Sequence, residues 1–373
     1  MSEVRVLHTS DLHLDASFRA TGVPSERARE RCEAHLQAFD DAVTKAEELD
    51  AHVLAIAGDL FEDRHARPAT GRHVAKRLAA WGKPVFIAPG NHDPFRAGSL
   101  YQLLDWPENV TIFGADWQTC ALPDLGLQVH GRGFTTPEDS KPLVEGLQVS
   151  GEGMHLVVAH GSDVSIRPDR HHPYRPFTPQ DLDKLPVDYV ALGHFHRYSQ
   201  LDTHRVCAVY CGSPVPQGYN ETGDHGVVLA RLRPDIIDVE LYPLPGRRFM
   251  TKDVDVTGCE TQADLLHLVE KETVRHANDF LRLRLQGSLP PDLDVDVTSL
   301  REALSGLVHD VEVKDHTVPE YELQVIATES TVRGLFVRTL LEDLEKSEDA
   351  ERERLRRAMY FGLDAFAGRP QAR

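Results

Sequence analysis

The sequence predicts an α/β protein in which two stacked sheets lie between outer helices, a four-layer α/β/β/α sandwich, followed by a small C-terminal αβ domain and terminal helices. Three observations predict it. Over the first hundred residues, short apolar runs alternate with amphipathic helical segments, the pattern of a parallel sheet covered by helices. From about residue 109, short strand-like runs follow one another with few helices between them, as in a second, mixed sheet. Beyond the linker-like PLPGRR at 243–248 a separate αβ pattern begins.

In chain order, VRVLHTS at 4–10 reads as a buried strand ending at Asp11. A helix from Ser25 follows, with Ala28, Cys32, Leu36, Phe39, Val43, Ala46 and Leu49 spaced by three and four. VLAIA at 53–57 is a second strand, ending at Gly58 and Asp59, and a helix is expected over 69–81. PVFIA at 84–88 is a third strand, ending at Pro89-Gly90-Asn91-His92-Asp93. In open parallel sheets ligands gather beyond the carboxyl ends of the strands, and all three strands end there in polar residues. The second sheet is expected to use VTIF at 110–113, LQVH at 127–130, HLVVAH at 155–160, YVALGH at 189–194, VCAVYCGS at 206–213 and GVVLARL at 226–232. Further strands are expected near 252–256, 280–285 and 310–313, with a helix near 262–277 and a helical tail over 330–368. The domains are then expected at 1–245, 246–328 and 329–373.

Composition narrows the function classes. The 373 residues are 41% hydrophobic and 27% charged, ordinary globular values. No run of 18 apolar residues occurs, and MSEVRVLHTS enters a strand pattern at once, so a cytoplasmic protein that is neither exported nor membrane-spanning is expected. Five scattered cysteines make neither a disulfide framework nor a zinc ribbon. Against 41 Lys and Arg stand 59 Asp and Glu, a net charge of -18. That excludes a broad basic surface that grips nucleic acid unaided, since phosphate contacts need Lys and Arg. A DNA substrate would need bound cations and a partner's basic surface. Most of the 20 histidines fall in the first 250 residues, which points to metal chemistry there.

Four short motifs carry that chemistry: Asp11-Leu12-His13, Gly58-Asp59-Leu60-Phe61, Gly90-Asn91-His92-Asp93 and Gly193-His194-Phe195-His196, with His160 ending a further apolar run. Oxygen and imidazole donors without thiolate favour Mn, Fe or Zn, and a bridging carboxylate permits two metals. Alternation would put Asp11 with His13, and His194 with His196, on one side of an extended strand end. Glycines at 58, 90 and 193 would let the backbone turn tightly beside the metals. Singly, each motif has an ordinary reading as a turn or a hydrogen-bonded histidine. In this order, each closing a strand, they point to one site.

The ordered set DLH, GDLF, GNHD, AHG and GHFH resembles the calcineurin-like metallophosphoesterase superfamily. Within it, LHTSDLHLDASF, AGDLFEDRHARP, APGNHDPF, LGHFHR and YCGSPVPQGYNETGDHG are similar to DNA repair exonuclease subunits of the SbcD and YhaO type. The resemblance covers about residues 1–245. It implies two divalent ions, most often Mn, one held by Asp11, His13, Asp59 and His196 and the other by Asp59, Asn91, His160 and His194, with Asp59 bridging. It makes His92 the catalytic histidine beside the scissile phosphate, with Asp93 either orienting it or capping its own turn. It further implies a DNA nuclease, 3'-to-5' exonuclease and structure-dependent endonuclease, working with an SMC-like coiled-coil ATPase docked on the terminal helices. A homodimer is expected through helices after the second and third motifs, where Leu100, Tyr101, Leu103, Leu104 and Trp106 form an apolar cluster. Glu62, where the family commonly has Asp, is expected to be a surface difference. The loop 166–177, with Arg167, Arg170 and Arg175, reads as a backbone-tracking strip or a plain Pro-rich loop. Two other readings compete: a phosphodiesterase or phosphatase for small nucleotides or phospholipid precursors, and a non-catalytic scaffold.

Overall fold

The computed structural model describes residues 3–17, 25–166, 173–234 and 236–368. The chain forms two compact units, residues 1–250 and 251–373. The first holds β1 (Val4–Thr9), α1 (Ser25–Glu48), β2 (Val53–Ile56), α2 (Pro68–Trp81), β3 (Val85–Ile87), α3 (Leu100–Leu103) and β4 (Val110–Ile112). It continues with β5 (Gln118–Leu122), β6 (Leu127–Gly131), β7 (Met154–His160), α4 (Pro179–Asp183), β8 (Tyr189–Gly193), β9 (Ser199–Gln200), β10 (Cys207–Tyr210), β11 (Gly226–Arg233) and β12 (Ile236–Pro243).

These strands make two six-stranded sheets, in the orders β12-β11-β1-β2-β3-β4 and β5-β6-β7-β8-β10-β9. Both are mixed. β1 to β4 run parallel, and β11 pairs antiparallel with β1, Leu229 opposite Leu7. The runs at 110–113 and 226–232, expected in the second sheet, thus lie in the first. Sequence order does not fix this: β11 returns across the molecule to the open edge of β1, a pairing between segments more than two hundred residues apart.

Side-chain alternation builds the core, because successive residues of a strand face opposite sides. Val6, Ala55 and Phe86 of the first sheet share an apolar cluster with Val129, Leu156, Val158, Ala191 and Val209 of the second. Their neighbours Leu7, Leu54, Val85 and Ile87 instead pack with Phe39, Val43 and Ala46 of α1 and Val74, Leu78 and Trp81 of α2. On the outer side of the second sheet Val157, Val190 and Leu192 meet Leu182 of α4 and Phe177. Strands covered on both faces read as unbroken apolar runs. α2 starts one residue before its expected position, with Pro68 in the first turn, where its missing N–H costs nothing. It ends at Gly82, whose left-handed φ of 73° lets its N–H reach Leu78.

β13 (Phe249–Asp255) runs from the end of the first unit into the second, which continues with α5 (Gln262–Thr273), β14 (Phe280–Gln286), β15 (Ser288–Leu289), α6 (Val297–Leu304), β16 (Asp310–Asp315) and β17 (Val318–Pro319). β13, β14 and β16 form one sheet. Leu281, Leu283 and Leu285 of β14 are buried, as are Leu265 and Val269 of α5 and Leu300 and Leu304 of α6. α5 starts in a capping box between Thr261 and Asp264. A helical region follows, α7 (Leu323–Thr328), α8 (Val332–Lys346) and α9 (Asp349–Phe366), around Ile326, Val337, Met359 and Leu363. No helix among the described residues is long and apolar enough to cross a membrane.

Candidate metal centre

Strand ends from both sheets deliver the motif residues to one place. In the first sheet β1 and β2 run side by side, so their loops leave together: the Asp11 and His13 amides donate to Gly58 and Asp59 carbonyls at 3.0 and 2.8 Å. In the second, His160 pairs in register with Gly193, which sets His194 beside it. The two ligand-rich ends converge although some 150 residues of sequence separate them.

Asp11 and His13 do not converge by strand alternation. Both are left-handed, with φ of 53° and 43°, as are Asp59 at 50° and His194 at 113°. Non-glycine residues seldom adopt such backbone, and where they do the cost is often met at functional sites. The backbone turns out of the sheet there, and the turn rather than the pleat aims the side chains. Gly58 and Gly90 follow the expectation: a Cβ at Gly58 would overlap the His160 ring, and one at Gly90 the Asp59 carboxylate.

His13 Nε2 lies 3.3 Å from His196 Nε2. Asp11 Oδ1 is 3.8 Å from His196 Nε2. Asp59 Oδ2 sits 3.7 Å from His13 Nε2 and 3.3 Å from His160 Nε2, between the two groups. Asn91 Oδ1 is 3.0 Å from His160 Nε2, and the His194 and His160 ring centroids are 5.2 Å apart. Donor atoms of Asp11, His13 and His196, and likewise of Asp11, Asp59 and His160, lie within 4.8 Å of one another. All seven expected ligand residues are therefore together.

The electrostatics suit cations. Burial alone would raise the Asp59 carboxyl, but His160, His13 and His92 outweigh it and hold Asp59 well below the usual range. Burial likewise opposes charge on His160, yet Asp59 and Asp11 push it up to about 9. His194, buried and facing His160, is driven down to about 4 and stays a neutral donor. Carboxylates, neutral imidazole and an amide oxygen around a cradle that draws positive charge form a donor set fitted to divalent ions.

His92 sits at the rim, its side chain 44% exposed. Its Nδ1 is 3.0 Å from Glu62 Oε2, which is also 3.6 Å from His13 Nδ1. Glu62 is therefore no distant surface difference but half-buried support for His92. Against burial, its hydrogen bond pushes His92 up to about 9. Glu62 stands three positions after Asp59 in the chain, an offset that does not by itself set it apart from a surface acid. Asp93 does not touch the His92 ring. Its oxygens accept from the Gly90, Asp59, Leu60 and Phe61 amides at 2.7 to 3.1 Å and from Tyr101 Oη at 2.5 Å, which makes it the anchor of the turn carrying Asn91 and His92.

In the loop 166–177, residues 167–172 lie outside the described residues. Arg175 is buried, its guanidinium held by Asp139 and the Arg132 and Gly133 carbonyls over the Phe134 ring, and Phe177 is in the core. Neither is available to a phosphate backbone. Tyr174 of this loop packs edge-on against His194, with centroids 5.4 Å apart. In the cluster expected to mediate dimerisation, Leu100 and Tyr101 are buried in the chain's own core and Leu104 and Trp106 pack against it; Leu103 is exposed.

Three relatives place this geometry. The chain is 28% identical over 313 residues to the uncharacterized metallophosphoesterase YhaO of Bacillus subtilis, covering 78% of this chain and 73% of that one. It is 26% identical to the DNA double-strand break repair protein Mre11 of Haloferax volcanii, over 82% of this chain and 67% of that one. It is 24% identical to the SbcD component of the nuclease SbcCD of Escherichia coli K12, over 99% of this chain and 100% of that one. Residues 4–198, which carry every one of the converging side chains, match the calcineurin-like phosphoesterase family, and the chain belongs to that family of metallophosphoesterases.

Proposed function

We propose that this metallophosphoesterase is the nuclease subunit of a DNA end-processing complex, cutting DNA as a 3'-to-5' exonuclease and structure-dependent endonuclease beside an SMC-like coiled-coil ATPase. The observation that carries it is the convergence of Asp11, His13, Asp59, Asn91, His160, His194 and His196 at the strand ends of both sheets, with His92 exposed at the rim. Asp11, His13, Asp59 and His196 hold one cation and Asp59, Asn91, His160 and His194 the other. When bound, the two ions, Mn by family resemblance, supply the Lewis acidity that polarises a phosphodiester and activates water. Glu62 keeps the His92 ring turned so that Nδ1 faces its carboxylate, which leaves Nε2 to donate a proton to the departing 3' oxygen. Asp93 holds the turn that aims His92 and Asn91.

Alignment over the full length of a nuclease component favours DNA over a small nucleotide. We read the facing sheets and their outer helices as the four-layer sandwich, residues 1–245 as its domain, 246–328 as a capping domain and 329–373 as the docking segment for the ATPase. Val332, Leu335, Phe361 and Phe366 on α8 and α9 are exposed large apolar residues, as a docking face requires. Homodimerisation stays part of this reading, with Leu103 as its exposed apolar contact.

The test is hydrolysis by the Mn-loaded chain of end-labelled duplex and single-stranded DNA beside cyclic nucleotides and phosphomonoesters. Mn-dependent shortening of DNA from the 3' end is expected. Turnover of the small nucleotides with DNA left intact would instead establish the small-substrate reading.

A further inference from the structure

The run YCGSPVPQGYNETGDHG, residues 210–226, belongs to the family resemblance yet supplies none of the ligands assigned above. It nevertheless reaches the site. After β10 the chain is irregular up to β11, and two of its groups close on His196. The Ser213 amide donates to the His196 carbonyl at 3.0 Å, and Glu221 Oε1 lies 2.8 Å from His196 Nδ1. The Glu221 side chain is only 11% exposed, and its second oxygen accepts from the Gln217 amide at 2.8 Å. The segment is pinned in turn: His225 bridges the Ser213 and Glu221 carbonyls at 2.8 and 3.1 Å, and Arg31 of α1 donates to the Gln217 carbonyl.

The ligand histidines are thus supported unequally. His160 sets Nδ1 on the Ala57 carbonyl at 2.9 Å, a neutral partner. His196 sets it on a carboxylate. A ligating imidazole that donates its other N–H to a carboxylate is fixed in tautomer and orientation and becomes a more basic donor. With Nδ1–H on Glu221, the Nε2 lone pair of His196 faces His13 Nε2 and Asp11 Oδ1.

The geometry points to Glu221 as the positioning residue of His196: its carboxylate aims and strengthens Nε2, so that the cation held by Asp11, His13 and His196 owes part of its affinity to a segment that contributes no ligand. This rests on the two-cation reading of the site. Glu221 touches no reacting atom, and its effect belongs to one cation of the two.

The experiment is Mn titration calorimetry on the full metal-free chain, comparing wild type with Glu221→Gln and Glu221→Asp. Glutamine keeps the size and can still accept from the Gln217 amide, but it lacks the charge. Wild type should bind two ions. Glu221→Gln should weaken one of them roughly ten- to a hundredfold and leave the other unchanged, while Glu221→Asp recovers part of the loss. The Mn concentration for half-maximal hydrolysis of a nitrophenyl diester should rise by the same factor, and the unfolding midpoint of the metal-free protein should stay at the wild-type value. Two ions at wild-type affinity in Glu221→Gln would overturn the inference. So would equal weakening of both ions with a lowered metal-free midpoint, which would make Glu221 a prop of its own loop. A wild type that failed to take two ions would overturn the two-cation reading itself, and this inference with it.

Discussion

His92 and Asn91 are neighbours in sequence with different surroundings: Asn91 faces His160 inside the cradle, and His92 stands at its rim on Glu62. His92→Asn should therefore keep both metals and lower turnover on DNA by roughly two to four orders of magnitude. A nitrophenyl ester, whose leaving group needs no proton, should lose less. Metal analysis beside single-turnover rates checks this, and equal losses on the two substrates would make His92 a phosphate-positioning group. At this scale the residues that converge, and their order along the chain, were legible, because metal chemistry restricts a candidate position to a few donor types. The support around them was not. Nothing in the spacing told Glu62 from a surface acid or assigned Asp93 to backbone amides, since a carboxylate's partners depend on loop conformation. The left-handed backbone at Asp11, His13 and Asp59 was equally hidden, being carried by residues that usually avoid it.

Among the elements, the buried strands β1, β2, β3, β7 and β8 were readable as apolar runs, and α1 and α2 as periodic ones. Edge strands were harder. β12 alternates exposed and half-buried positions and carries Asp238 and Glu240, so its sequence resembles a solvated loop. The sheet membership of β4 and β11 depended on long-range pairing. One buried feature of the second sheet gives a pH prediction. His130 on β6 stacks on His155 of β7, their ring nitrogens 3.0 Å apart, with Thr119 of β5 on its other nitrogen at 2.8 Å. Burial, with His155 beside it, pushes His130 down to about 4. Unfolded, the same imidazole takes its proton near 6.5, so between those values the unfolded chain binds a proton that the folded one refuses. Stability should fall as pH drops from about 6.5 towards about 4. Denaturant midpoints measured across that range should decline less steeply in His130→Gln; identical slopes would remove His130 from the acid response.

For the whole molecule, the net charge of -18 limits what the chain does alone. For the proposed DNA substrate, the acidic balance predicts that affinity rises with bound cations and with an assembly partner rather than coming from this chain alone. Length and composition indicated more than one unit. The second unit carries no chemical motif, but its pattern was legible: the strands expected near 252–256, 280–285 and 310–313 correspond to β13, β14 and β16. The central claim, a site for two cations shared through Asp59, is tested most directly by counting metal. The wild-type chain, freed of metal and then equilibrated with Mn, should retain two ions per chain after gel filtration, and Asp59→Ala should retain neither while keeping the wild-type fold by circular dichroism. An Asp59→Ala chain that still held two Mn ions at wild-type affinity would contradict the account.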